Sequence, residues 1–108
     1  MLDQPDEAAE TNRVRIAFKM TQQEAIFLRC LLNSPIARKD LLMEVIGPRE
    51  KAPGRKILDV VIWKIRKKIA FLKPSGVEII TIWGVGWSLR PEAKEIVRRY
   101  IAENSIHA

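Results

Sequence analysis

The spacing of apolar residues near the start of the chain predicts a short strand followed by a helix. In "RVRIAFKM" (13–20) large apolar residues fall at every second position, which is the period-two pattern of a half-buried strand. "TQQE" (21–24) then has the composition of a capping box, in which a threonine and a glutamate accept from each other's backbone N–H groups. We therefore expect a first helix that runs from this box to about Leu32.

Proline and glycine residues set the limits of two further predicted helices. Ser34 and Pro35 are a suitable N-cap and first-turn pair, so a second helix is expected from there to Gly47. "GPREKAPG" (47–54) has two prolines and two glycines and is expected to be a loop. A third and longer helix is predicted over about 55–73, before a Pro-Ser-Gly stop.

The last third of the chain predicts a β-hairpin and one more helix. "VEIITI" (77–82) is rich in β-branched residues, and "WSL" (87–89) forms the returning strand after a Trp-Gly-Val-Gly turn. Pro91 then begins an amphipathic helix. The apolar stripe of this helix consists of Ala93, Ile96, Val97, Tyr100 and Ile101. The pattern predicts an α+β protein that is mainly α.

The third predicted helix has two opposite faces when its residues are placed 100° apart. The residues on one face should point to the core: Leu58, Val61, Ile62, Ile65, Ile69 and Leu72. A narrow strip on the other face contains Lys56, Trp63 and Lys67, with Lys64 and Arg66 at its two edges. Such a helix fits the major groove of DNA, where cations at the edges can reach phosphates. There are two alternatives: the basic face is only solvated, or Trp63 belongs to the core.

The charge of the chain supports a polyanionic partner. The 108 residues have a formal net charge of +6 and fit a single domain. Residues 1–12 contain four acidic and no basic residues and predict a disordered tail, so the remaining 96 residues have a net charge of +10. Residues 49–73 alone contain nine basic and two acidic residues. This excess is typical of nucleic-acid binding, although a solubilising surface has a similar composition.

The residue types that enzymes and metal sites need are scarce. His107 is the only histidine, and Cys30 is the only cysteine and has apolar neighbours, so we expect it to be a buried small hydrophobe. The sequence has no Ser/His or Cys/His pair, no phosphate-binding glycine loop and no cluster with metal-ligand spacing. We predict no enzymatic activity, no metal and no cofactor. Without an apolar span or a secretory signal, a cytoplasmic, nucleoid-associated protein is expected.

Two motifs and their order resemble a known family. "KILDVVIWKIRKKI" (56–69) followed by "IITIWGVGWSL" (79–89) is similar to the recognition helix and wing of OmpR/PhoB-type effector domains, and "MTQQEAIFLRCLL" (20–32) to their first helix. In its wing the sequence has a tryptophan before the first glycine, and this makes it most similar to alphaproteobacterial members related to the regulator CtrA. The resemblance covers about residues 13–90. It implies a winged helix-turn-helix with a three-helix core, a reduced N-terminal strand and a C-terminal β-hairpin wing.

The resemblance also implies an interface with DNA. The third helix would enter the major groove and the wing would contact the adjacent backbone. Together with the outer strip of the helix, this gives the candidate DNA-binding residues Arg55, Lys56, Trp63, Lys64, Arg66, Lys67, Thr81 and Trp83. The loop with Arg49, Glu50 and Lys51 lies where the family contacts RNA polymerase. Trp87 matches a tyrosine packed under the wing and is expected in the core.

Some features differ from the family pattern. No receiver domain precedes the module in this sequence, and the helix after Leu89 is additional. This helix either caps the core or mediates a homodimer, and family members often bind DNA in tandem. The expected organisation is a tail (1–12), a winged-helix domain (13–90) and a C-terminal helix with its tail (91–108).

The predicted function is sequence-specific binding of double-stranded DNA by a bacterial transcriptional regulator. The alternative is a winged-helix protein-interaction module, such as an anti-repressor or an RNA polymerase adaptor, because exposed Trp63 and Trp83 are typical of protein interfaces. If the helix contacts DNA, Lys56→Ala and Arg66→Ala should weaken binding without unfolding the chain.

Overall fold

The computed structural model describes residues 6–46, 54–72 and 76–105, except for the side chains of residues 54–56. In this part of the chain the helices are α1 (Glu7–Phe18), α2 (Gln22–Asn33), α3 (Lys39–Ile46), α4 (Gly54–Ile69) and α5 (Pro91–Asn104). The strands are β1 (Ala37–Arg38), β2 (Ile79–Ile82) and β3 (Gly86–Leu89). A 3₁₀ turn, Ala70–Leu72, continues α4. The strands form one antiparallel sheet in the order β1-β3-β2.

The three-helix core and the hairpin agree with the sequence prediction. Helices α2, α3 and α4 pack on one another, and the hairpin pairs Thr81 with Trp87. The capping box of α2 is formed: the Thr21 hydroxyl accepts from the Glu24 backbone N–H at 3.2 Å, and the Glu24 carboxylate accepts from the Thr21 N–H at 2.9 Å. The predicted fold class, a mainly helical winged helix-turn-helix, is confirmed.

The predicted N-terminal strand over 13–20 is wrong, because residues 13–18 belong to helix α1. The apolar residues at positions 14 and 18 fit the two-residue period of a strand and the 3.6-residue period of a helix equally well. These positions therefore could not distinguish a strand from a helix. The helix buries Val14 and Phe18 together with Thr11 and Ala17, which a strand would have placed on both faces. Burial at spacings of three and four therefore decides the conformation.

The predicted disordered tail is also wrong for residues 7–12, which form the first turns of α1. The Asp6 side chain is the N-cap and accepts from the backbone N–H groups of Ala8 and Ala9. Glu7 and Glu10 lie in the first turn, where the helix dipole favours negative charge. The acidic composition of this segment therefore stabilises a helix terminus.

The second predicted helix begins later than expected. Residues 34–36 are bends, and Ala37 and Arg38 form strand β1 before α3 starts at Lys39. The two β1 residues pair with Trp87 and Gly86 of β3. These ladder bonds join positions about 50 residues apart, so local cap signals could not reveal them.

Helix α5 covers the core on the side of α1. Its predicted stripe is confirmed, with Ala93, Val97 and Ile101 buried and Ile96 and Tyr100 partly buried against the core. The Arg98 guanidinium donates to the Leu32 carbonyl oxygen at 2.6 Å and so satisfies a carbonyl at the end of α2. These contacts make α5 part of the folded core.

Aromatic rings join α1 and α5 to the 3₁₀ turn. The Phe18 and Tyr100 ring centroids lie 4.8 Å apart, and Phe71 contacts Tyr100 edge-on at 5.1 Å. Tilted pairs at such distances contribute about 0.5–1.5 kcal/mol beyond their burial. The two terminal helices of the described chain are thereby held against the end of α4.

Candidate nucleic-acid interface

Helix α4 separates a buried face from an exposed one, as its sequence predicts. Leu58, Val61, Ile62, Ile65 and Ile69 are buried, and Leu72 is partly buried. The opposite face exposes Asp59, Val60, Trp63, Lys64 and Lys67 to solvent. Trp63 is 57% exposed, which excludes the interpretation that it belongs to the core. The outer face of α4 is thus available for a partner.

Trp63 and Lys67 contact each other on this face. The Nζ atom of Lys67 lies 4.5 Å from the centroid of the Trp63 ring, which is a cation–π distance. The two residues are four apart on the helix, so their side chains are neighbours. The contact keeps a positive charge and an aromatic ring together at the surface.

Arg66 joins α4 to the hairpin. Its Nη2 atom donates to the carbonyl oxygen of Ile79 at 2.8 Å and to the hydroxyl oxygen of Thr81 at 3.2 Å. Arg66 and Thr81 were predicted separately as DNA contacts, and the structure brings them together. Arg66 therefore positions the wing, and we expect Arg66→Ala to lower stability as well as binding, although the chain should stay folded.

The wing turns at Trp83–Val85. The Val85 N–H donates to the Ile82 carbonyl oxygen at 2.9 Å, and Gly84 has φ = +79°, as the third residue of a type II turn requires. The Val85 carbonyl oxygen accepts from the Lys39 N–H at 2.8 Å, which ties the turn to the start of α3. The turn is thus fixed on the body of the protein.

The two wing tryptophans have different environments, as predicted. Trp83 is 88% exposed at the turn. Trp87 is 3% exposed and packs against Phe27 of α2, with ring centroids 5.2 Å apart. Trp87 anchors the hairpin, whereas Trp83 projects from it.

A groove of about 340 Å³ lies between α4 and the wing. The residues that line it are Lys39, Asp59, Ile62, Trp63, Arg66, Thr81, Ile82, Trp83, Gly84 and Trp87. Four of the predicted DNA-binding residues, Trp63, Arg66, Thr81 and Trp83, share this groove. Lys39 also lines it but was missed, because its place beside the wing depends on the pairing of β1 with β3.

Lys68 is one of the nine basic residues in segment 49–73, but it contacts groups of the protein itself. Its Nζ atom lies 2.7 Å from the Glu24 carboxylate and 3.1 Å from the Lys19 carbonyl oxygen. Burial alone would raise the pKa of Glu24. The pKa is nevertheless lowered, because the carboxylate accepts hydrogen bonds from Lys68 and from the Thr21 backbone, and because the positive charges of Lys68 and Lys64 stabilise its ionised form. The pair fixes α4 on α2.

Some predicted contacts lie outside the described residues. Arg55 and Lys56 belong to α4, but their side chains are not described. The predicted polymerase contacts Arg49, Glu50 and Lys51 lie in the undescribed segment 47–53. The described part of the predicted interface therefore consists of the middle of α4 and the wing.

Two further findings concern other classes of protein. In the described ranges no helix is long and apolar enough to cross a membrane. Within the same ranges no three His, Cys, Asp or Glu residues cluster as a metal site would need.

Cys30 is partly buried, and burial raises the pKa of its thiol, so the thiolate form is disfavoured.

An exposed basic helix beside a β-hairpin on a three-helix core defines a winged helix-turn-helix. Residues 16–89 match the family model "Transcriptional regulatory protein, C terminal". The chain belongs to this family of DNA-binding transcription regulators, which is a regulatory and not a catalytic family, and whose members bind double-stranded DNA. No curated protein and no solved structure gives a significant match to the chain. Most of α1 and all of α5 lie outside the matched residues.

Proposed function

We propose that this chain binds double-stranded DNA sequence-specifically, with α4 in the major groove and the wing on the adjacent backbone. The observation that supports this most is that the exposed face of α4 and the wing border one groove, fixed by the bonds of Arg66. An α-helix fits the major groove, and a projecting hairpin beside it can reach the neighbouring strand. The chain would then act as a transcriptional regulator in the cytoplasm.

Charge supports the same mode of binding. Lys64 and Lys67 are exposed on α4, and Arg66 and Lys39 line the groove beside the wing. Cations in these positions can contact phosphates on both sides of a base-contacting surface. Neutralising about five phosphates predicts a log–log slope of affinity against salt of roughly −4 to −5.

The experiment is selection of bound sequences from a random duplex pool, followed by footprinting and by titration at several salt concentrations. Lys64→Ala and Lys67→Ala should each weaken binding and reduce the salt slope by about one. Arg99→Ala is the matched control, because it removes an exposed positive charge from α5, which packs on α1. Absence of any duplex binding at low salt would exclude the proposal.

A protein-interaction module is the second candidate. The observation that favours it is the exposure of Trp63 and Trp83, since tryptophan is frequent among residues that dominate protein interfaces. Such a module would bind its partner with little dependence on salt and would not select a duplex sequence. Contacts of Arg49, Glu50 and Lys51 with RNA polymerase, and a homodimer or tandem arrangement on DNA, stay predictions.

A further inference from the structure

The exposed face of α4 has an apolar centre. Val60 is 49% exposed and Trp63 is 57% exposed, and the two lie three residues apart on the same side of the helix. The core-facing residues occupy the other side and are already buried. Val60 and Trp63 are therefore additional to the core, and on a helix proposed to enter the major groove they are available to contact the bases.

Two lysines lie beside Trp63 in this apolar centre, whereas the carboxylate of Asp59 is exposed next to Val60. Lys67 lies against the Trp63 ring, with its Nζ atom 4.5 Å from the ring centroid, and Lys64 is exposed next to Trp63. An apolar patch with positive charges beside it is complementary to a polyanion that presents an apolar group. It is less suited to an apolar protein surface, where both lysines would lose hydration without compensation.

Duplex DNA presents such an apolar group in the major groove. Each A·T pair exposes the C5 methyl group of thymine there, beside hydrogen-bonding edges. Valine has no side-chain hydrogen-bonding group, and tryptophan has a single N–H donor. The favourable base contacts open to this pair are thus mainly apolar, and the thymine methyl is the natural ligand.

We propose that Val60 and Trp63 determine specificity by contacting the C5 methyl group of thymine in the major groove. The inference rests on the proposed DNA-binding function and adds which base it selects. The cation–π contact with Lys67 holds the Trp63 ring in place, so the apolar surface is present before DNA arrives. The preferred site contains at least one thymine opposite the middle of α4.

The test uses the full chain and the duplex recovered by selection, with its thymines replaced one at a time by uracil. Uracil keeps the pairing edge and the O4 acceptor and loses only the methyl group. At one or two positions the substitution should weaken binding by roughly three- to tenfold, as expected for an apolar contact of one methyl group. Other thymines should tolerate it.

Three variants assign the effect to its residues. Val60→Ala and Trp63→Ala should bind the thymine duplex more weakly and should reduce the thymine preference at those positions. Lys64→Ala should weaken binding to thymine and uracil duplexes equally and keep the ratio. Because Val60, Trp63 and Lys64 are all exposed, thermal unfolding should show each variant to be folded.

The outcomes are distinguishable. Tight binding of the selected duplex with no uracil effect at any thymine overturns this inference and leaves the proposed function in place. A uracil effect that is unchanged in both Val60→Ala and Trp63→Ala also overturns it, because the discrimination would then come from DNA shape or other residues. Failure to bind any duplex at low salt overturns the proposed function and this inference together.

Discussion

The guanidinium of Arg66 donates to the Thr81 hydroxyl oxygen at 3.2 Å and thereby joins the helix to the wing. The same Nη2 atom donates to the Ile79 carbonyl oxygen, at 2.8 Å. The wing is therefore bound to α4 through a side chain, while its strand β3 pairs with β1. Arg66, which the sequence predicts as a DNA contact, thus holds the strand that contains another candidate residue, Thr81.

Arg66→Ala should lower both stability and DNA affinity. The substitution leaves the Ile79 carbonyl and the Thr81 hydroxyl without this donor, which we expect to lower the free energy of unfolding by about 1–2 kcal/mol. Urea titration followed by circular dichroism measures the loss. Thr81→Val removes only the weaker bond and is the control, expected to lose less than Arg66→Ala. Unchanged stability in Arg66→Ala would show that the bonds contribute nothing.

Acid should lower the stability of the fold, partly because the Glu24 carboxylate becomes protonated. Because its pKa is lowered in the folded protein, the Glu24–Lys68 pair contributes fully above the ordinary value of about 4.5 and is lost as the pH falls through the folded pKa. At neutral pH, Glu24→Gln should lower the free energy of unfolding by about 1–3 kcal/mol. The difference from the unmodified chain should shrink below pH 4.5.

Unfolding titrations between pH 3 and pH 7, conducted in parallel on both proteins, check the Glu24 prediction. Glu44→Gln removes an exposed carboxylate from α3 and is the control, with little expected effect. A Glu24→Gln deficit that is the same at all pH values would contradict the assigned ionisation.

The two wing glycines should respond differently to alanine. A Cβ atom at Gly86 would lie 2.0 Å from the Ala37 carbonyl oxygen, so Gly86→Ala must separate β1 from β3. We expect a loss of about 3 kcal/mol or more. Gly84 has open space around its Cβ position and only its φ of +79° opposes alanine, so Gly84→Ala should cost about 1 kcal/mol. If denaturant titration gave the same loss of stability for Gly84→Ala and Gly86→Ala, the close approach of Gly86 to the Ala37 carbonyl would be refuted.

The two wing tryptophans should separate affinity from stability. Trp83→Ala should change the free energy of unfolding by less than about 0.5 kcal/mol, because its side chain is 88% exposed. It should still weaken duplex binding, with an unchanged salt slope, since the lost contact is uncharged. Trp87→Ala should instead lower stability by about 3–5 kcal/mol. Full DNA affinity in Trp83→Ala would mean that this residue does not contact DNA.

Local signals were sufficient for much of the fold. The capping box at Thr21 and Glu24 placed α2, and the 3.6-residue period of α4 correctly separated the buried Ile65 from the exposed Trp63. These features depend on residues within one or two turns of each other. The glycine-rich turn likewise placed the hairpin between β2 and β3.

Features that depend on distant residues could not be predicted in this way. The backbone of Ala37 becomes a strand only because Trp87 lies beside it, and Arg66 becomes a wing support only because Ile79 is in reach. In α1 the apolar positions were compatible with either period, and contacts with α2 and α5 favour the helix. Sequence patterns thus identified most candidate residues, but not their mutual bonds.

The attachment of the wing has a consequence for the entropy of association. The turn is held by the Lys39 N–H and the strand by Arg66, so the relative position of helix and hairpin is set when the chain folds. The conformational freedom of the hairpin is lost at that stage, and little remains to be lost on encounter with a ligand. A partner that fits the spacing between α4 and Trp83 binds without that cost, whereas one that does not fit must itself deform.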